Sequence, residues 1–230
     1  MDKSAERQVI TDDELLQRYA AGERDFARVK LWVPEGRTSD ETAWRYDEGS
    51  VLNHANLSEI NLRDADIRLA GEMNGTDFSN ADLRGALLDG NVFRGANFSG
   101  ADLRNTCFVR SKLDDANFSG ADMRGARLSH APLCGANFEG ANLGKASFFE
   151  CRLVGDMSGL NLRGTVLEGT DIMGMDFSGA DLRGASLKRA YLNSVNFTGA
   201  KLTISALEKS RWIEQVTLPD GSIRNDGRLC

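Results

Sequence analysis

From residue 52 onward a large apolar residue recurs every five positions, with a small residue two before it. Leu52, Leu57, Leu62 and Ile67 form a first phase, and one extra residue then precedes Met73. From Met73 to Leu153 a second phase is unbroken; one residue is then missing, and a third runs from Met157 through Phe177 to Leu202 or Leu207. A period of five fits neither a helix nor a flat strand. It fits a chain that turns a corner every five residues, with the central residue and the small residue pointing inward. Four corners close a square coil of twenty residues, and successive coils stack at strand spacing, about 4.8 Å. In the second phase 11 of the 17 small positions are alanine, as so narrow an interior requires.

A twenty-residue layer lies over this beat. Asn97-Phe98-Ser99-Gly100-Ala101-Asp102-Leu103-Arg104 returns, with small changes, at 117–124 and 176–183. Aligning coils on it puts Leu57, Phe78, Phe98, Phe118, Phe138, Met157, Phe177 and Phe197 in one column. The two irregular spacings in that column coincide with the two phase breaks, so each break is absorbed within one coil. The reading is about eight coils with phenylalanine rings stacked inside.

Runs such as Ala81-Asp82-Leu83-Arg84-Gly85 and Ala96-Asn97-Phe98-Ser99-Gly100 resemble the A-D/N-L/F-x-x units of the pentapeptide-repeat family over residues 52–202. The resemblance implies an all-β solenoid, a right-handed quadrilateral β-helix. The N-terminal helix and the tail sequence Leu218-Pro219-Asp220-Gly221-Ser222 are also similar to members abundant in photosynthetic bacteria.

Outside the repeat the periodicity changes. Thr11 and Glu14 form a capping-box pair before Leu15, Leu16 and Tyr19, which predicts a helix over about 12–21. Ser205 and Glu208, with Leu207, Trp212 and Ile213, predict a second over about 205–214. Both are expected to cap the solenoid ends, where open sheet edges would otherwise invite pairing. The Pro-Asp-Gly turn at 219–221 predicts a hairpin or loop, and residues 225–230 are expected to fray. This divides the chain into a capping helix plus insertion (1–51), the β-helix (52–204) and a helix with tail (205–230). Phe26 and Leu31, five apart, read as a start of the repeat, which the insertion, 32–50, then breaks; its Trp32, Trp44 and Tyr46 are expected to pack back on the body.

Charge narrows the partners. The net charge is −6, but residues 52–207 carry 16 basic and 18 acidic side chains, so no basic patch recommends nucleic acid. The N-terminus has no apolar targeting core, and no apolar run approaches a membrane span. Cys107, Cys134, Cys151 and Cys230 lack metal-site spacing and read as reduced thiols in a cytoplasmic protein. His54 and His130 sit at separate corners without an oriented partner, and the repeated Asp residues belong to the coil. No catalytic, metal or cofactor site is expected.

Two outward features remain. Arg63, Arg84, Arg104, Arg124, Arg163 and Arg183 form a ladder after the central residue, matched by Asp82, Asp102, Asp122 and Asp181 two positions earlier. That pattern reads as a self-compensating solvated face ahead of an anion-binding stripe. Val109 and Phe149, and around a corner Cys134, Val154 and Met173, are apolar where polar residues are expected. They read either as an interface or as a surface covered by the insertion or tail. The chain is therefore expected to be a non-enzymatic protein–protein interaction or regulatory module, monomeric or homodimeric. The alternative, carried by the family resemblance, is a DNA mimic that binds and inhibits a type II topoisomerase.

Overall fold

The computed structural model describes residues 7–32, 52–68 and 71–228. The repeat forms a four-faced stack of coils held by parallel bridges twenty residues apart. On the first face the ladder runs Asn56, Asp77, Asn97, Asn117, Asn137 and, after a break, Asp156, Asp176, Asn196. On the second it begins at Asp25, which pairs with Asn61, and reaches Lys201. The third runs from Lys30 through Asp66, Cys107 and Ser147 to Ser186, and the fourth from Glu72 through Val92 to Lys112 and onward from Pro132. The ladder thus takes in the step from Phe26 to Leu31, N-terminal to residue 52. The cause is Phe26, which is buried as a repeat centre and donates its N–H to the Asn61 carbonyl.

Phe118 is completely buried, and its ring stacks at 5.2 Å on both Phe98 and Phe138. Phe78–Phe98 and Phe177–Phe197 continue the column, with Met157 buried between its halves. Polar residues at the small inward position are buried too, because each donates to a carbonyl of the coil before. Thr106 reaches Leu83 at 2.7 Å, Ser111 reaches Leu88 at 2.8 Å, and Thr170 reaches Phe148 at 3.0 Å. Among the described residues no buried side-chain nitrogen or oxygen lacks a partner, as a low-dielectric interior requires.

The two phase breaks are accommodated differently. The extra residue before Met73 is answered by buried Asn91. Its amide donates to the carbonyls of Ile67 and Leu88 and accepts from the N–H of Gly71. The missing residue before Met157 interrupts the first-face ladder between Asn137 and Asp156 and leaves Gly155 at φ 131°. Corners place the residue two after each centre in the left-handed region, which favours glycine. At Gly135 (φ 71°) a Cβ would also stand 2.2 Å from the Asp115 carboxylate of the preceding coil.

The N-terminal elements are β1 (Val9–Thr11), α1 (Asp12–Ala20) and β2 (Lys30–Trp32), with β1 parallel to β2. Thr11 caps α1 by accepting from the Glu14 N–H at 3.1 Å. Leu15 is buried, and the Tyr19 hydroxyl donates to the Ser58 carbonyl at 2.9 Å. On the fourth face the bridges widen into strands: β3 (Arg152–Leu153), β4 (Asp171–Met173), β5 (Tyr191–Asn193) and, after α2 (Ile204–Leu207), β6 (Trp212–Glu214).

The expected helix over 205–214 is therefore corrected to one turn followed by a strand. Leu207 and Ile213 are both fully buried. They continue the third- and fourth-face columns, so their spacing belongs to the coil and not to a helix. The capping box is absent as well: the N-cap is Thr203, which makes no side-chain cap bond. β7 (Val216–Thr217) and β8 (Ile223–Arg224) form the hairpin around the Pro-Asp-Gly turn. β9 (Gly227–Arg228) pairs antiparallel with β6, so this part of the tail expected to fray instead closes the sheet edge; residues 229–230 lie outside the described residues.

Candidate functional site

The four faces solve their turns differently. On the first, each Asp or Asn before the centre accepts the backbone N–H two residues on: Ser79 to Asp77 at 2.9 Å, Ser99 to Asn97 at 3.1 Å. These amides also bond between coils, Asn97 to Asp77 at 2.9 Å and Asn117 to Asn97 at 3.1 Å. The second face does the same with Asp and adds arginine. Arg104 grips Asp102 with Nε and Nη2 at 2.8 and 2.6 Å, and its Nε stands 3.7 Å from Asp122 in the next coil. Arg84 with Asp82, Arg124 with Asp122 and Arg183 with Asp181 repeat the fork.

Hydrogen bonds from these arginines hold Asp82, Asp122 and Asp181 below the usual carboxylate range, against the opposing effect of burial. Arg63 and Arg163 follow Asn61 and Asn161 instead of Asp and make only loose pairs, with Asp64 at 3.5 Å and Asp181 at 3.9 Å. All six ladder arginines thus share one face, and the acids that compensate them share it too.

On the third and fourth faces the position before the centre is seldom Asp or Asn; Asp66, which Arg68 forks at 2.8 Å through both Nε and Nη2, is the third-face exception among the described residues. Cys134, Val154 and Met173 occupy one stripe of the fourth face on three successive coils; all are exposed, Val154 by 46% and Met173 by 42%. Phe149 lies around the corner on the third face, 36% exposed, with its ring edge-on to His130 at 5.7 Å. Val109 is half-buried and lies two coils from Phe149, with the Ser129 coil between.

Tyr191, 40% exposed on β5, extends the fourth-face patch. Sequence reasoning missed it, although it replaces the Asp or Asn of the other faces and the substitution is visible in the repeat. Trp32 ends β2 with 48% of its surface exposed, not packed back as expected. Trp44 and Tyr46 lie outside the described residues.

His54 and His130 occupy different corners, each exposed. His130 Nδ1 lies 3.4 Å from Glu150. Burial, the larger effect, and a hydrogen bond to Asp89 push the Cys107 thiol up. Burial alone pushes Cys151 up to about 11. Among the described residues no group of three His, Cys, Asp or Glu side chains could hold a metal ion, and no helix is long and apolar enough to cross a membrane.

The family model "Pentapeptide repeats" matches eight copies over residues 72–110, 111–148 and 173–203. Among curated protein sequences none matches the chain. Of solved structures, HetL, a pentapeptide repeat protein involved in heterocyst differentiation regulation from Nostoc sp. strain PCC 7120, is 23% identical. The match covers 94% of this chain and 100% of that one with a TM-score of 0.54, and it implies the right-handed quadrilateral β-helix. Trypsin-treated QnrB1, a plasmid-mediated fluoroquinolone resistance protein, is 24% identical over 69% of this chain and 79% of that one, TM-score 0.43. Alr5209, a pentapeptide repeat protein from Nostoc PCC 7120, is 31% identical over 64% of this chain and 84% of that one, TM-score 0.24. With eight copies of the repeat unit along the ladders described above, the chain belongs to the pentapeptide-repeat family.

Proposed function

We propose that the chain is a non-enzymatic interaction module that presents one surface of a rigid β-helix to another protein. The observation that carries this is the stripe of Cys134, Val154 and Met173, beside Phe149 and Tyr191, exposed on a sheet whose other outward positions are mostly polar. Contiguous apolar surface of this kind belongs to interfaces more than to solvent. In the same reading α1 and the β6–β9 region cap the two ends. The separated thiols Cys107, Cys134 and Cys151, all free, support a cytoplasmic setting.

The DNA-mimic alternative needs a face that presents acid. Asp82, Asp102, Asp122 and Asp181 each carry a forked arginine, which favours the interaction reading. The expected result in a gyrase supercoiling assay is no inhibition.

The test is Phe149→Asp, alone and with Val154→Asp. If the stripe is the interface, affinity capture from native lysate loses a protein held by the wild type, or a dimer seen by light scattering dissociates. A captured set and an oligomeric state both identical to wild type would reject it.

A further inference from the structure

The corner between the third and fourth faces differs from the rest. Arg110, His130 and Glu150 succeed one another there with φ of 59°, 60° and 53°. Elsewhere a side chain at a corner is often followed by glycine in the next coil, as Asn105 by Gly125 and Asp115 by Gly135. The reason is steric: a Cβ on Gly125 would stand 2.5 Å from Asn105 Oδ1. Three consecutive non-glycine residues in this backbone region carry a conformational cost with no burial in return, and such outliers gather at functional surfaces.

The charges around it are also differently placed. Arg110 at the corner, Arg127 on the third face and Arg152 on the fourth are exposed, and among the described residues none has a carboxylate within 4 Å. The nearby acids are otherwise engaged: Glu150 by His130, Glu168 by the Ser186 hydroxyl at 2.7 Å, and Asp114 by Arg94 at 3.7 Å. Asp171 is the register partner of Arg152 but forms no ion pair with it. At Arg84, Arg104, Arg124 and Arg183 on the second face a carboxylate would have to displace an existing fork. At this corner it only replaces water.

Resting on the interaction reading, we infer that this corner docks an acidic, apolar peptide segment of a partner protein. Its carboxylates meet Arg110, Arg127 and Arg152, and its large apolar side chains lie on Phe149, Val154 and Met173. Charge complementarity selects the partner, and the apolar anchors supply the affinity. A nucleic acid would use the arginines but leave Val154 and Met173 without apolar contact.

The experiment pans a random peptide library displayed on phage against the full-length chain and measures synthesised binders by fluorescence anisotropy. The enriched peptides are expected to combine excess Asp and Glu with Leu, Ile or Phe. Phe149→Asp and Arg152→Glu should each weaken binding roughly tenfold or more, while Arg124→Gln on the second face leaves it within about twofold. Both key residues are exposed, and thermal melting confirms that each variant is folded. Acidic peptides bound equally by Phe149→Asp and Arg152→Glu, or enrichment without acidic bias, overturn this assignment while the interaction reading stands. No enriched peptide overturns both. A single-stranded oligonucleotide that binds more tightly than any peptide, and is weakened by the same variants, overturns it in favour of nucleic acid.

Discussion

The second and fourth faces are built on the same coil and the same inward residues, yet they present opposite surfaces. On the second face nearly every outward side chain has a partner supplied by the repeat: Asp accepts its own turn's N–H, and arginine forks onto the Asp. On the fourth, strands β3 to β6 pair through their backbones, and Val154, Met173 and Arg152 project from them without such a partner. The contrast teaches that a conspicuous periodic ladder is a poor guide to function. Its residues are accounted for by the coil, whereas Val154, Met173 and Arg152 are not.

If the interior alone carries stability, the largest effect belongs to neither face. Phe118→Ala should lower stability by about 3–5 kcal/mol, because it opens a cavity between two stacked rings. Denaturant melts measure this, and a second-face variant such as Arg104→Ala giving a comparable loss would break the comparison. Next comes the corner that leaves the fourth face. Gly135→Ala should cost about 1–3 kcal/mol, from the left-handed backbone and the close Asp115 carboxylate. Adding Asp115→Gly should return the steric part, and failure to do so would place the whole cost in the backbone.

Acid sharpens the contrast from the other side. Asp82, Asp122 and Asp181 have folded pKa values lowered by arginine. Their contribution is therefore present above the unfolded carboxylate pKa, about 4, and is lost as pH falls toward the folded value. The melting temperature should be flat from about pH 8 to pH 5 and decline below about pH 4. The combined Arg84→Ala and Arg124→Ala variant should shallow that decline; an unchanged acid limb would show that the forks do not contribute. Arg104→Ala by itself should shift the melting temperature only slightly, since exposed pairs are screened.

The smallest effect is chemical. At pH 7.5 iodoacetamide should modify exposed Cys134 well before buried Cys107 and Cys151, read by peptide mass spectrometry. The modified chain should melt as the unmodified one does. Prompt labelling of Cys151 would contradict its burial and its raised pKa.

Much of this was legible before any coordinates. The inward column from Phe78 to Phe197 follows from a five-residue beat, because an alternation of large and small residues leaves only one way to fill a narrow square interior. The helix after Thr11 followed from local capping chemistry. The C-terminal region misled because Leu207, Trp212 and Ile213 satisfy helical spacing as well as coil spacing, and only the stacking of Ile213 on Leu192 decides between them. The apolar stripe is visible in the sequence as a departure from the repeat.

By itself, then, the sequence determined the coil: its period, its buried column, its two breaks and the face on which arginine and aspartate compensate. These are properties of residues twenty apart, and periodicity places such residues together whatever else the chain does. The tertiary structure decided what closes the ends and which surface is left over. Pairing of β9 with β6, repair of the first break by Asn91, and the isolation of Arg110, Arg127 and Arg152 from carboxylates depend on which atoms come within hydrogen-bonding reach across coils. No local pattern encodes that distance.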